Sequence, residues 1–140
     1  MNDHAPLPLA AEVRSNLQNS RSKEDTFRYL VSLSKVLPRL SDADKTPINQ
    51  IRGCESRVWL CAQQDPQGRW WFHADSDAKL LRGLMTVILS LVEGQDSQTI
   101  IAKDLPHELA QMQLSAYLTA SRSNGMQAIL ARIQQLVRGL

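Results

Sequence analysis

Two cysteines and three histidines carry the obvious nucleophilic and metal-binding capacity of this 140-residue chain. Cys54 follows Gly53 directly, between the polar stretch Asn49-Gln50-Ile51-Arg52 and the strand-like run Val58-Trp59-Leu60-Cys61. Glycine adopts backbone angles closed to other residues, so Gly53 permits a tight loop at this junction. A thiol on such a loop, with a strand behind it, is placed to meet something outside the protein, as reactive groups on scaffolded loops often are. Arg52 and Arg57 supply positive charge that favours thiolate over thiol, while Glu55 opposes them. Free cysteine is also among the most buried residue types. On residue types alone, a small apolar filler and a presented nucleophile both fit Cys54.

Other chemistries fit these residues less well. Cys54 and Cys61 are too widely spaced for a C-x₂₋₄-C zinc element, and His4, His73 and His107 are scattered, so no metal site is expected. A Cys–His hydrolase would need His73 or His107 as the base for Cys54, and nothing in their spacing argues for that. There is no glycine-rich phosphate loop, so no nucleotide chemistry and no cofactor is expected. Cys61 lies within a strand and reads as structural.

The elements that must position Cys54 follow from patterning. With 43% hydrophobic and 21% charged residues, the chain has the composition of a folded domain, and its length suits a single domain spanning residues 1–140. A formal net charge of +2 and the lack of a Lys/Arg cluster argue against nucleic acid as a partner. No apolar run approaches the ~18 residues of a membrane span, and Asp3 and the early prolines do not resemble an export leader. The expected location is therefore the cytoplasm, with no membrane partner.

Residues 1–9 read as a loose tail, and Ala10 to Asn19 as a first helix with Val13 and Leu17 on one face. Ser22-Lys23-Glu24-Asp25 resembles a capping box that opens a second helix. Phe27, Leu30, Val31, Ser34 and Leu37 form its apolar stripe, and Pro38 stops it. Short strands are expected at 48–52, 57–63 and 69–74. Asp65-Pro66-Gln67-Gly68 between the last two has the residue order of a type I turn. Asp75-Ser76-Asp77 offers an N-cap to the next helix, Ala78 to Glu93, which is apolar nearly all round and hence the central core helix. Gly83 within it marks a close approach by the cysteine loop or the sheet, and Gly94 closes it. Two short helices follow at 97–102 and 106–113. Ser121-Arg122-Ser123-Asn124-Gly125 reads as a capping segment before a last helix striped by Met126, Ile129, Leu130, Ile133, Leu136 and Val137. Arg132 and Arg138 are expected in solvent. The result is an α+β domain, helices packed on a small three-stranded antiparallel sheet.

Gly53-Cys54-Glu55-Ser56-Arg57-Val58-Trp59-Leu60 resembles the cysteine loop of the SufE family, the sulfur acceptors of iron–sulfur cluster assembly. The resemblance continues, in the family's order, through Leu37-Pro38-Arg39-Leu40, Asp75-Ser76-Asp77, Arg82-Gly83-Leu84 and Ser121-Arg122-Ser123-Asn124-Gly125. It covers nearly the whole chain beyond Ser22. Glu55, Arg57, Arg82-Gly83-Leu84 and Val92-Glu93-Gly94 are similar to the CsdE branch. Ser34 departs from the family's usual glycine and is read as a surface change.

The resemblance implies a SufE/IscU-like fold and a partner, a pyridoxal-phosphate cysteine desulfurase of the SufS/CsdA kind that carries a persulfide. It implies that Cys54 takes the terminal sulfur and relays it to an iron–sulfur scaffold or other acceptor. A thiolate attacking a sulfur–sulfur bond needs a nucleophile and access, with no cofactor of its own. On this reading the chain is a carrier with a persulfide intermediate and not an independent enzyme. Gly53, Glu55, Arg57, Asp77 and Arg122 are expected to shape the loop and its contact with the partner, in a monomer or weak homodimer. Two alternatives stand beside it: a non-covalent regulatory module for the desulfurase, and a small thiol oxidoreductase with Cys61 as resolving cysteine.

Overall fold

The computed structural model describes residues 7–52 and 56–139. Its centre is an antiparallel hairpin of β1 (Val58–Gln64) and β2 (Trp70–Ser76), in a register that sets Val58 opposite Ser76, Trp59 opposite Asp75 and Leu60 opposite Ala74. The turn forms because Asp65 serves it twice. Its carbonyl accepts from Gly68 N (2.9 Å), and its carboxylate accepts from the amides of Gln67 and Arg69. Gly68 takes the left-handed angle, φ +81°, that follows a type I turn in hairpins. Alternation along the strands then sends Val58, Leu60, Phe72 and Ala74 into the core.

The sheet has two strands, not the three expected. Residues 48–52 make only an isolated bridge, Gln50 to Trp59, with Leu60 N donating to Asn49 O (2.8 Å) and Ile51 N to Val58 O (2.8 Å). Local turn bonding competes with a longer ladder: Gln50 N is taken by Thr46 O and Asn49 N by the Thr46 hydroxyl. Pro47 has no N–H to offer. The opposite edge of the hairpin is covered in the same abbreviated way. There Trp70 exchanges backbone bonds with Gly94 and Gln95, and Phe72 N donates to the Glu93 carboxylate. Covered edges remove the unpaired N–H and C=O rows that invite pairing with other chains.

Helices pack against the hairpin. α1 (Ala10–Gln18) buries Val13 and Leu17, and α2 (Lys23–Ser34) starts at the Ser22 cap, whose hydroxyl accepts from Asp25 N. α2 ends earlier than expected, and its buried residues are Thr26, Leu30, Leu33 and Ser34, while Phe27 is 47% exposed. Ser34 is therefore interior, not a surface position. α3 (Lys79–Ser90) is buried at every residue from Leu81 to Ser90, as a helix apolar on nearly every face must be, and it carries Arg82, Thr86 and Ser90 inside with it. The close approach at Gly83 is to α2, not to the cysteine loop or the sheet: a Cβ there would lie 2.2 Å from the Leu30 carbonyl oxygen. α4 (Ser97–Ala102), α5 (Leu105–Ala110) and α6 (Ala120–Arg138) complete the chain. α6 begins at the Thr119 cap, so Ser121–Gly125 is its first turns and not a segment before it.

Candidate functional site

The segment carrying Gly53, Cys54 and Glu55 lies outside the described residues, but both arms that hold it are visible. They close on each other through the Ile51 N to Val58 O bond, and both side chains are buried, 4% and 0% exposed. The loop therefore springs from apolar anchors at the end of the hairpin.

The outgoing arm is fixed by β2. Ser76 donates its hydroxyl to Arg57 O (2.8 Å) and accepts from Ala78 N (3.2 Å), so a single side chain ties the arm to the start of α3. Arg57 Nε meets Asp77 Oδ2 at 2.7 Å, and Asp77 N donates to Arg57 O (3.3 Å). Asp77 thus stands beside the outgoing arm. Behind the arm, Trp59 is 5% exposed, with Lys45 and Arg57 over its ring at 5.1 and 5.3 Å. The face of this indole holds cations at the root of the loop.

Arg122 reaches the same region from α6. Its guanidinium donates to Tyr117 O (3.1 Å), and with Ser56, Ala78, Leu80 and Leu81 it lines a cavity of about 90 Å³. Ser56 and Arg122 on one cavity bring the outgoing arm and the first turns of α6 together, so both Asp77 and Arg122 border the arms.

Patterning expects an N-cap for α3 from Asp75-Ser76-Asp77, and the structure corrects that. β2 continues through Ser76, α3 is preceded by Ala78 with no side-chain cap, and Asp75 is fully buried. Its carboxylate accepts from Leu40 N (3.0 Å) and Ser76 N (2.8 Å). It pairs with Arg82, with Arg39 at 3.3 Å and with Lys45 at 3.5 Å. Burial pushes the Asp75 carboxyl up, but the two amides and the Arg82 guanidinium outweigh it and hold its pKa below the usual carboxylate value. Arg82 also donates to the carbonyls of Ser34 (3.0 Å) and Leu37 at the end of α2. One buried pair therefore joins α2, β2 and α3 behind the loop. The available signal was an arginine in an otherwise apolar helix, because a buried guanidinium demands partners.

Arg132 is also not where patterning puts it. It is half-buried, and its guanidinium donates to the carbonyls of Ile48 (3.1 Å) and Gln50 (3.3 Å) on the incoming arm. Arg138 is exposed. Cys61 lies mid-strand opposite His73, half-buried; burial, then the nearby Asp44 charge, pushes its thiol pKa up. A suppressed thiolate on a strand fits a structural cysteine. Among the described residues, no helix is long and apolar enough to cross a membrane, and no cluster of His, Cys, Asp or Glu could hold a metal ion.

A hairpin backed by helices, with a loop rooted at its end, defines an α+β protein of a known type. A solved structure of a hypothetical protein from Thermus thermophilus has the same fold, with a TM-score of 0.76 over 96% of this chain and 97% of that one at 16% identity. A model of the SufE family, described as an Fe-S metabolism associated domain, matches residues 11–137. The chain belongs to the SufE family.

Proposed function

We propose that this chain is the sulfur acceptor and activator of a pyridoxal-phosphate cysteine desulfurase, with Cys54 as the acceptor atom. The observation that carries the reading is the family match across residues 11–137, joined to a Gly53-Cys54 segment whose arms close through Ile51 and Val58. In the reaction, the Cys54 thiolate attacks the terminal sulfur of the partner's cysteine persulfide. A new S–S bond forms at Cys54 as the partner's S–S bond breaks, and the partner's cysteine leaves as a thiolate. The products are Cys54–S–SH and the regenerated desulfurase thiol; no net oxidation occurs and no further reactant is needed. A second exchange of the same kind passes the sulfur to an iron–sulfur scaffold or another acceptor in the cytoplasm.

An unperturbed thiol has a pKa of about 8.5 and is only a few per cent thiolate at neutral pH. Positive charge beside a thiol favours the thiolate, Arg52 and Arg57 are the nearby cations in sequence, and docking of the partner supplies the remaining activation. Asp77 and Arg122, which border the arms, shape the contact with the partner. The choices at Glu55, Arg57, Arg82-Gly83-Leu84 and Val92-Glu93-Gly94 favour a CsdE-type member.

Intact mass after incubation with desulfurase and cysteine tests the reading. The expected result is a gain of one sulfur and faster desulfurase turnover, both lost in Cys54→Ser and both kept in Cys61→Ser. Full stimulation of turnover by Cys54→Ser would replace this reading with a non-covalent regulatory one.

A further inference from the structure

Residues 47–49 form a turn that leads into the Gln50 bridge with Trp59, and the carbonyls from Ile48 to Gln50 divide between two sides. The Asn49 carbonyl turns to β1 and accepts from Leu60 N, whereas those of Ile48 and Gln50 turn away from the hairpin. On that outer side there is no further strand among the described residues to receive them. Arg132 of α6 takes both, through different nitrogens of one guanidinium, at 3.1 and 3.3 Å. The incoming arm is thus gripped from both edges, by β1 on one and by a single side chain on the other.

The placement of Arg132 is specific. It lies three residues after Ile129 and one before Ile133, both buried, so it borders the core stripe of α6. From there it faces a cleft of about 350 Å³ walled by Pro47, Gln50 and Ile51 on one side and Ala128 and Ala131 on the other. The small alanines leave room for the arm to lie along the helix. Arginine suits this position because its planar fork offers several donors in fixed directions, while lysine offers one compact charge.

We propose that Arg132 is a positioning residue for the incoming arm of the acceptor segment: it satisfies two carbonyls that no strand receives and holds Ile51 closed against Val58. Without it, the arm is joined to β1 only through Ile51 N and Leu60 N, and it opens locally. An open arm must be ordered again each time the sulfur donor docks, and that cost falls on binding more than on the exchange step. The inference rests on Cys54 being the sulfur acceptor, but one of its readouts does not.

The test uses the full-length chain with Arg132→Ala and Arg132→Lys. Amide hydrogen exchange at Ile51 and Leu60, resolved by NMR, reads the arm directly and needs no desulfurase. In Arg132→Ala these two amides are expected to exchange about tenfold faster, the size of losing roughly one net hydrogen bond, with α3 amides unchanged. Sulfur uptake should then need about tenfold more of the variant to reach half its maximal rate, with the maximal rate itself within about twofold; Arg132→Lys should recover part of both effects. Unchanged exchange at Ile51 and Leu60, or equal acceleration there and throughout α3, would overturn the proposal. If wild-type protein takes up no sulfur, the acceptor reading fails while the exchange result still decides the role of Arg132.

Discussion

Asp75 and Asp77 stand two residues apart at the end of β2, and each meets an arginine, yet they do different work. The Asp75 side chain is 0% exposed and is surrounded by Arg82, Arg39, Lys45 and two backbone amides. The Asp77 side chain is 47% exposed and pairs with Arg57, itself 66% exposed. A buried charge must be completely partnered, so the Asp75 cluster locks three elements into one frame. An exposed pair is screened by water and adds little to folding, which leaves Arg57 and Asp77 available for the partner contact proposed above. The difference separates what builds the platform from what stands on it.

The largest effect is expected where the frame loses its counter-charge. Arg82→Ala leaves Asp75 buried beside the partly exposed Arg39 and Lys45 and removes the donor to Ser34 and Leu37, so it should destabilise the fold by about 3–5 kcal/mol. Urea unfolding measures this, and a loss under about 1 kcal/mol would erase the contrast with the exposed pair.

Gly83→Ala attacks the same frame sterically. The added Cβ would lie 2.2 Å from the Leu30 carbonyl, so α2 and α3 must separate. The expected cost, read by the same urea unfolding, is about 1–3 kcal/mol, in the range of overpacked cores.

Acid sharpens the contrast further. The folded-state pKa of Asp75 lies below its ordinary value of about 3.9, so its contribution is complete above that value and is lost as pH falls through the lower folded-state pKa. Asp75→Asn should flatten the stability–pH curve in this acid window, as urea unfolding at a series of acid pH values would show.

At the exposed pair, Arg57→Ala and Asp77→Asn should each change unfolding free energy by no more than about 1 kcal/mol. Their effect should instead fall on the concentration of chain needed to stimulate the desulfurase, measured by titration. A large loss of stability with unchanged titration would place the pair in the frame after all.

The smallest effect is expected at Cys61. In a Cys54→Ser background, alkylation of Cys61 should be slower than that of a free thiol at neutral pH and rise at higher pH, because burial raises its pKa. Cys61→Ser should retain sulfur uptake.

Local chemistry alone determined much of this protein. Asp65-Pro66-Gln67-Gly68 dictates a turn through its own side chain and the left-handed angle of glycine, and the apolar surround of Leu81 to Leu89 dictates a buried helix. The Ser22 cap and the strand from Val58 were equally legible, because their information lies within a few residues. Tertiary structure decided the remainder. Whether 48–52 became a strand depended on Thr46, Pro47 and the distant Arg132, which between them supply or withhold its hydrogen-bond partners. Gly83 advertised a close neighbour but not its identity, and Leu30 of α2 is fixed only once two helices cross. The buried role of Asp75 was not legible, because its amide and charge partners Leu40, Arg39 and Lys45 lie far upstream, with Leu40 at a separation of 35. Short-range periodicity reports which face of an element is apolar; which polar group must be neutralised inside, and by what, is set only when the chain has closed around it.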